Sequence, residues 1–499
     1  MAKSMRPLPR LALLCAASLT AAPALADGPA PDRADELRQT AMAYFGKSAL
    51  DLGVIAIDPQ GEGYLATVDF QRAVDRLHLP EGQLAVGRWS ILMVPMADGA
   101  WKISADNLPW IAFNESSDTG SVSGSMRTND FRLEGVYDPT LGAFRSSAWR
   151  AASVDFKFYT LDRTKSESSD TQLHDLGVTL ETQAADAGGG AVTTKFREKD
   201  EGAHETVTLT HSSVGAAPAS ALTSDGYRQG PSEMEGSFER LRTAQLLNLW
   251  RFLVASGDQA NPEAAIGAQS ELRAKLLAAL PLWDNLKATA TVHDVGTDAP
   301  DLAIAIKTLS ETVAIGGLDA RSDFQLALKL DDLRLKSPLI PAWVEPLMPT
   351  AVDFDINMSV AGLDKAARVA IEDIDSTAQP PLSSFSQAKI KAILAAGEPK
   401  LILAPGRVTS PSLDLTFEGE LALAPKLVGR FKVTADTLDK ALAVLAKAAD
   451  ADDEMQAAVQ GLTFLKGLAK QGGDGRLAWD IAIGDDGAVT VNGRAMPEQ

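Results

Sequence analysis

Apolar and polar residues alternate along much of this chain, and a two-residue period is typical of β-strands with one face in water. From Gly53 to about His211 the alternation predicts a meander of antiparallel strands. Val154, Phe156 and Phe158, for example, fall on one face of such a strand. Strands of this kind need a cover for their apolar side, because water disfavours exposed hydrocarbon.

The same alternation returns in the carboxy-terminal half. It is clearest at Val352–Val360, where five apolar residues follow one another at every second position. Further alternating segments occur at Leu286–Val292, Phe324–Leu330 and Leu413–Phe417. The chain closes on a predicted hairpin, in which Leu477–Ile483 pairs with Val489–Val491 through a turn of glycine and aspartate.

A helical period replaces the alternation in mid-chain. Apolar residues recur every three to four positions in Ser237–Ala255, and Pro262 suits the start of a second helix that stops before Pro281. Further helices are predicted at Ala34–Lys47, Leu363–Ile374, Ser384–Ala396, Leu438–Ala448 and Glu454–Lys470. The predicted fold class is therefore α+β, with extensive antiparallel, amphipathic β-sheets, a mid-chain helical hairpin and several covering helices.

A chain of 499 residues is long enough for two or more hydrophobic cores. We expect a signal peptide at 1–26, a strand-rich domain at 27–230, the helical hairpin at 231–285 and an α+β domain at 286–499. The boundary at residue 230 rests on Gly215–Gly230, a small and polar stretch that predicts a loop and a linker.

The amino terminus has the three parts of a secretory signal: a basic start, an apolar run at Leu11–Leu19 and a small-x-small motif at Ala24–Ala26. We expect cleavage before Asp27 and a periplasmic location. An uncleaved anchor is disfavoured because a spanning helix needs about 20 apolar residues. No transmembrane helix is expected after processing. The only cysteine, Cys15, leaves with the signal, so the mature chain would hold no disulfide.

The net charge of −19 narrows the classes of partner. An acidic surface is repelled by nucleic-acid phosphates and by anionic lipid surfaces, so we expect no nucleic-acid partner. Acidity also keeps an exported protein soluble, and this simpler interpretation is preferred.

Motifs that would indicate an enzyme are missing from the sequence. There is no Gly-x-Ser-x-Gly elbow, no phosphate-binding loop of the Walker type, no dinucleotide fingerprint and no His-Glu-x-x-His zinc helix. The five histidines are dispersed. We therefore predict no catalytic, cofactor-binding or metal-binding residues and no cofactor.

Tryptophans are concentrated in the amino-terminal strand region, at Trp89, Trp101, Trp110 and Trp149. They would line a sugar- or lipid-binding face or, in the simpler interpretation, fill the core.

Glycine, leucine and aromatic residues form a distinctive closing segment. The residues that carry it are Leu462, Phe464, Leu465, Gly467, Leu468, Gly472, Gly473, Asp474, Gly475, Leu477, Trp479, Gly487, Val489, Val491, Asn492 and Gly493. This segment resembles the ending of the DUF2125 family of exported alphaproteobacterial proteins, which have no assigned activity. The resemblance implies an exported, strand-rich protein and supplies no catalytic residues.

Together these patterns predict a noncatalytic periplasmic envelope protein that binds a lipid, another apolar ligand or an envelope protein in a β-sheet groove. An ordinary core covered by helices and a second sheet is the competing interpretation of the same alternation. The alternative function is a periplasmic hydrolase that uses dispersed carboxylates.

Overall fold

The computed structural model describes residues 31–75, 83–117, 120–162, 165–185, 190–211, 220–257, 262–299, 302–375, 378–449, 453–473 and 475–496. The predicted signal peptide and its cleavage site lie outside the described residues. About 53% of the chain is strand and about 25% is helix, and the sheet is antiparallel. The predicted α+β, sheet-rich fold class is confirmed.

Neighbouring strands of the sheet run antiparallel. The first strands are β1 Ile55–Gln60, β2 Gly63–Asp69, β3 Leu84–Val86, β4 Arg88–Pro95, β5 Trp101–Ala105, β6 Ile111–Ser117, β7 Gly120–Asn129, β8 Arg132–Asp138, β9 Ala143–Asp162, β10 Lys165–Ala184, β11 Val192–Asp200, β12 Gly202–His211, β13 Ser220–Gln229 and β14 Ser232–Leu241. The later strands are β15 Asn285–Ala299, β16 Leu302–Gly316, β17 Arg321–Asp331, β18 Arg334–Lys336, β19 Ala351–Ala361, β20 Lys400–Thr409, β21 Asp414–Ala422, β22 Val428–Asp436, β23 Lys470–Gln471, β24 Leu477–Ile483, β25 Val489–Val491 and β26 Arg494–Ala495. The helices are α1 Pro31–Phe45, α2 Lys47–Asp51, α3 Phe70–Val74, α4 Thr243–Gly257, α5 Pro262–Ala279, α6 Leu363–Asp373, α7 Ser384–Ala396, α8 Leu438–Ala449 and α9 Asp453–Leu468, with a short 3-10 helix at Glu345–Leu347.

The chain divides into two compact units that are not contiguous in sequence. Unit 1 contains the described residues up to Phe156 together with Asp175–Arg197 and Phe238–Ala279. Unit 2 contains Lys157–His174, Glu198–Ser237 and the described residues from Leu280 onward. Long strands cause this division, because β9 and β10 each contribute residues to both units. The sequence, by contrast, predicts contiguous domains.

Unit 1 is built around fully buried side chains. Its strands pair in the order β1–β2–β4–β5–β8–β9. Tyr64 and Trp101 are 0% and 1% exposed, and their rings meet edge to face at 6.2 Å. Helix α4 packs beside α1, where Trp250 Nε1 donates a hydrogen bond of 2.8 Å to the carbonyl oxygen of Tyr44. This unit has an ordinary closed core.

Unit 2 contains one long antiparallel sheet. Its strands pair in the order β15–β16–β17–β19–β20–β21–β22–β24–β25. Helices α6 and α7 connect β19 to β20, and α8 and α9 connect β22 to β24. The strand predicted at Val352–Val360 and the closing hairpin are both confirmed, the latter with Ile481 opposite Val491.

Two local predictions are wrong. Gly215–Gly230 is predicted as a loop, but Ser220–Gln229 forms β13, which pairs with β12. Its small and polar residues carry no alternation, so the pairing comes from the neighbouring strand rather than from a local signal. The helix predicted from Ser237 begins only at Thr243, because residues up to Leu241 belong to β14, which pairs with β11.

The physical reason for the late helix start lies in tertiary contacts. Phe238 packs against Phe196, with ring centroids 6.2 Å apart, which favours the strand over the helical spacing of the same residues. At the helix start Thr243 Oγ1 donates a hydrogen bond of 2.6 Å to the carbonyl oxygen of Leu141.

Across the described residues no helix combines the length and apolarity that a membrane span requires.

Candidate apolar ligand-binding sites

The long sheet of unit 2 carries one continuous apolar surface, which we call the apolar face. Residues directly opposite each other in antiparallel strands share a face, so the register identifies its members. One row across all nine strands consists of Ala288, Val313, Leu326, Ile356, Leu403, Gly419, Phe431, Ile481 and Val491. The adjacent row consists of Leu286, Ile315, Phe324, Met358, Leu401, Leu421, Gly429, Ile483 and Val489.

Two further rows extend the apolar face toward the other end of the strands. A row of Val292, Leu309, Leu330, Val352, Val408, Leu415, Ala435 and Leu477 is apolar throughout. The row between contains Leu328 and Phe354, and it also contains Glu311, which is exposed. The rings of Phe354 and Phe417 lie 6.3 Å apart on this surface. Four neighbouring rows therefore place apolar side chains on the same face of the sheet, with Glu311 as the exception.

The opposite face of the same sheet is polar and well hydrogen-bonded. Thr289 and Thr312 are bonded at 3.0 Å, and Thr416 and Thr434 at 2.6 Å, across neighbouring strands. Gln325 Nε2 donates to a carboxylate oxygen of Asp355 at 2.9 Å. A polar face of this kind is well solvated by water, so only the apolar side of the sheet needs a cover.

The middle of the apolar face is only partly covered. Leu326, on the third of the nine strands, is 47% exposed, and Phe324, Ile356 and Leu403 on this and the next two strands are half-buried. Fully buried members lie toward the ends of the strands or the edges of the sheet: Val292, Val360, Ala435, Trp479 and Val491. A covered core would bury such inner strands deeply, and here Leu326 is the most exposed apolar residue of the four rows.

Helices α8 and α9 cover one end of the apolar face. At this end Trp479 packs with Ala435 and Leu438, and its Nε1 donates a hydrogen bond of 2.7 Å to the carbonyl oxygen of Leu465 in α9. At the other end Val360 is buried, where the N–H of Ala361 meets the carbonyl oxygen of Gly397, directly after α7, at 3.3 Å. The helices thus close one end and leave the strands around Leu326 accessible.

Glycines allow aromatic rings to lie flat on this surface. A methyl group on Gly406 would meet the Phe417 ring at 2.3 Å, and one on Gly419 would meet the Phe431 ring at the same distance. The rings therefore cover backbone that has no side chain of its own. This arrangement keeps the floor of the face smooth and apolar between β20 and β22.

Unit 1 holds a second apolar feature, a pocket of about 460 Å³ formed by α1, α2, α3 and strands β1, β2 and β4. Its lining residues are Phe45, Ala49, Leu52, Val54, Ile55, Val68, Phe70, Ala73, Trp89 and Ile91. Phe45 and Ala73 are the exposed members of this set, so they mark its rim. No ionisable side chain lies in the lining.

The four tryptophans of the amino-terminal region have different roles. Trp101 is a core residue, and Trp149 packs against Phe131 at 6.0 Å. Trp110 is 42% exposed. Trp89 lines the pocket. The core interpretation is confirmed for Trp101, and a sugar- or lipid-binding role stays a prediction.

The most deeply buried carboxylates, which are candidates for the hydrolase alternative, are engaged in structural contacts. Asp69 lies 2.9 Å from Arg88, and Asp200 accepts hydrogen bonds from the Gly202 N–H and from Ser232. Asp138 accepts from Thr140 and from Arg145. These are the buried carboxylates among the described residues, and each has protein partners.

Arg145 joins two of the carboxylates of unit 1. Burial works to raise the pKa of Asp138, but hydrogen bonds from Thr140 and Arg145 outweigh it and hold the pKa below its ordinary value. The hydrogen bond from Arg145 likewise lowers the pKa of Asp98. Burial raises the pKa of Tyr137 beside them. A carboxylate with a lowered pKa is a poor general acid, which suits a structural role.

Metal ligands are not gathered into a site within the part of the chain that the structure describes: no group of three or more histidine, cysteine or acidic side chains has the geometry to hold an ion. His204 lies 3.4 Å from the Thr206 hydroxyl, and His293 lies 3.4 Å from that of Thr308. His78 lies outside the described residues.

No family model, curated protein or solved structure matches this chain. The resemblance of the closing segment to the DUF2125 family stays a prediction. In the structure that segment forms α9, β24 and β25, and its Trp479 and Val491 belong to the cluster at the covered end of the apolar face.

Proposed function

We propose that the protein is a noncatalytic envelope protein that holds lipid acyl chains against the apolar face of unit 2. The observation that carries this proposal is the half-open inner part of that face, where Leu326, on the third strand, is 47% exposed in a row of apolar residues nine strands wide. Soluble proteins rarely leave a continuous apolar patch of more than a few hundred Å² exposed unless it binds something.

Hydrocarbon suits this surface better than a protein partner does. The inner strands have neighbours on both sides, so their backbone groups are already paired and offer no edge for strand addition. The four rows contain a single charged residue, Glu311, within the residues that the structure describes. Burying one leucine or phenylalanine side chain is worth about 1.5–3 kcal/mol, so a chain lying over several of them gains substantial affinity.

We also propose that the protein works in the periplasm after cleavage before Asp27, as the export signal predicts. An acyl chain in an aqueous compartment needs a dry surface, and the amphipathic sheet would supply one. Recovery of the protein from an osmotic-shock fraction, with a mass that begins at Asp27, is the expected result. A chain that retains residues 1–26 in the membrane fraction would contradict it.

The lipid proposal is tested with the mature protein and vesicles that contain a fluorescently tagged phosphatidylethanolamine. The protein is separated from the vesicles by gel filtration, and the lipid that remains with it is quantified. Leu326→Glu places a charge at the most exposed apolar residue of the apolar face, and Lys287→Glu makes an even larger charge change on the polar face. We expect Leu326→Glu to retain at most about one tenth of the lipid that the unmodified protein retains. Lys287→Glu should retain as much lipid as the unmodified protein.

Circular dichroism confirms that both variants are folded before they are compared. Equal lipid retention by Leu326→Glu and the unmodified protein would remove the apolar face as the site. Absence of lipid together with a copurifying envelope protein would overturn the lipid proposal in favour of a protein partner. The buried carboxylates have structural partners, and we propose no catalytic role for them.

A further inference from the structure

We infer that the pocket of unit 1 is a binding site in its own right and that its ligand is a small, neutral, apolar molecule. This inference does not depend on the proposed function, because the pocket and the apolar face belong to different units. The volume of about 460 Å³ falls within the range of about 300–1,000 Å³ that is usual for small-molecule sites. It is far larger than the small voids left by imperfect side-chain packing.

The lining decides the polarity of the ligand. A water molecule is stable in a pocket only when it finds two to four polar partners, and the side chains here are aliphatic or aromatic. Ile55 and Ile91 form the buried part of the wall, and Phe45 and Ala73 form the rim. Water next to these groups finds few hydrogen-bond partners, so an apolar ligand that displaces this water is favoured.

The indole of Trp89 supports the same conclusion. Its Nε1 is buried and has no hydrogen-bond partner within the described part of the chain. The pocket lining offers it no acceptor side chain, and Nε1 is occluded from solvent. Trp89 therefore contributes its ring rather than a directing hydrogen bond, and the site selects for shape and apolarity.

Charge near the rim disfavours an anionic ligand. Arg72, next to Ala73, has its Nε 3.4 Å from a carboxylate oxygen of Asp69 and donates from Nη1 to the carbonyl oxygen of Leu52. Lys47, two residues before Ala49, is paired with Asp51. Both cations already face carboxylates, and the chain carries a net charge of −19, so an added anion would be repelled.

The test uses the full mature chain and two fluorescent probes of nearly the same ring system, neutral N-phenylnaphthylamine and anionic anilinonaphthalene sulfonate. Binding is followed by energy transfer from tryptophan, and Trp89→Phe identifies the part of the signal that arises at the pocket. Ala49→Trp fills the pocket, and Ala73→Trp blocks its rim. Because Ala73 is exposed, a larger side chain there does not disturb the packing of the core. Ala56→Trp is the matched control, because Ala56 lies on the exposed side of β1 between two buried isoleucines.

We expect the neutral probe to bind the unmodified protein, Ala56→Trp and Leu326→Glu with the same affinity at the pocket. The two blocking variants should bind it at least about tenfold more weakly, and Trp89→Phe should reduce the energy transfer while it keeps the probe. Unchanged binding in both blocking variants would overturn the site. Equal affinity for the anionic probe would overturn the assignment of a neutral ligand.

Discussion

Units 1 and 2 are both sheet-rich, yet they treat their apolar side chains differently. Unit 1 buries Tyr64, Trp101 and Ile103 almost completely, so its strands form a closed core. Unit 2 arranges its apolar residues along a sheet of nine strands, and Leu326 on the third strand remains 47% exposed. The comparison shows that alternation specifies which side of a sheet is dry and leaves open whether that side is covered.

The largest expected difference between the units is in the cost of removing a central apolar side chain. Trp101→Ala should lower the free energy of unfolding of unit 1 by about 3–5 kcal/mol, because it leaves a cavity in a closed core. Leu326→Ala should cost less than about 1 kcal/mol, because this side chain is half in water. Urea unfolding combined with hydrogen–deuterium exchange on peptides of each unit measures both values. A loss of several kcal/mol in Leu326→Ala would show that the apolar face is covered.

A smaller effect is expected at the covered end of the apolar face. Trp479→Phe removes the indole N–H that bonds to the carbonyl oxygen of Leu465, at a cost of about 1–2 kcal/mol. The exposed Trp110 is the matched control, and Trp110→Phe should change stability little. Exchange of the amide protons of α9 should accelerate in the first variant alone. Equal exchange in the two variants would mean that α9 is not held by Trp479.

The smallest effect is expected at Arg145, which holds Asp98 and Asp138 in unit 1. The pKa of Asp138 is lowered from its ordinary value of 3.8 in the folded state, so its stabilising contribution is present above about pH 3.8 and is lost as the pH falls through the folded pKa. Arg145→Gln should destabilise unit 1 by about 1 kcal/mol or less near neutral pH, since the pair is partly exposed.

The difference between Arg145→Gln and the unmodified protein should shrink as the pH falls below 3.8 and through the lowered pKa of Asp138 in the folded protein. Urea unfolding across this range measures the difference. A gap that stays constant with pH would assign the effect of Arg145 to packing rather than to charge.

Local periodicity predicted much of the architecture because it depends only on neighbouring side chains. The strand at Val352–Val360 and the helix at Ser384–Ala396 occur as predicted, and the latter begins at its Ser383 cap. The strand β13 and the late start of α4 were missed, because both depend on partners distant in sequence, such as β12 and Phe196. No signal in the sequence selects Trp89 over Trp101 as the pocket tryptophan, because both alternate in strands.

The sequence by itself determined that this chain makes broad sheets with one dry side, since the alternation of apolar residues fixes the face on which each side chain lies. Only the tertiary structure decided which dry sides are covered. Coverage depends on where the helices and the distant strands pack: α8 and α9 cover one end of the apolar face, while Leu326 on the third strand stays 47% exposed. The pocket of unit 1 likewise exists only because α1, α2 and α3 meet three strands that are separated along the chain.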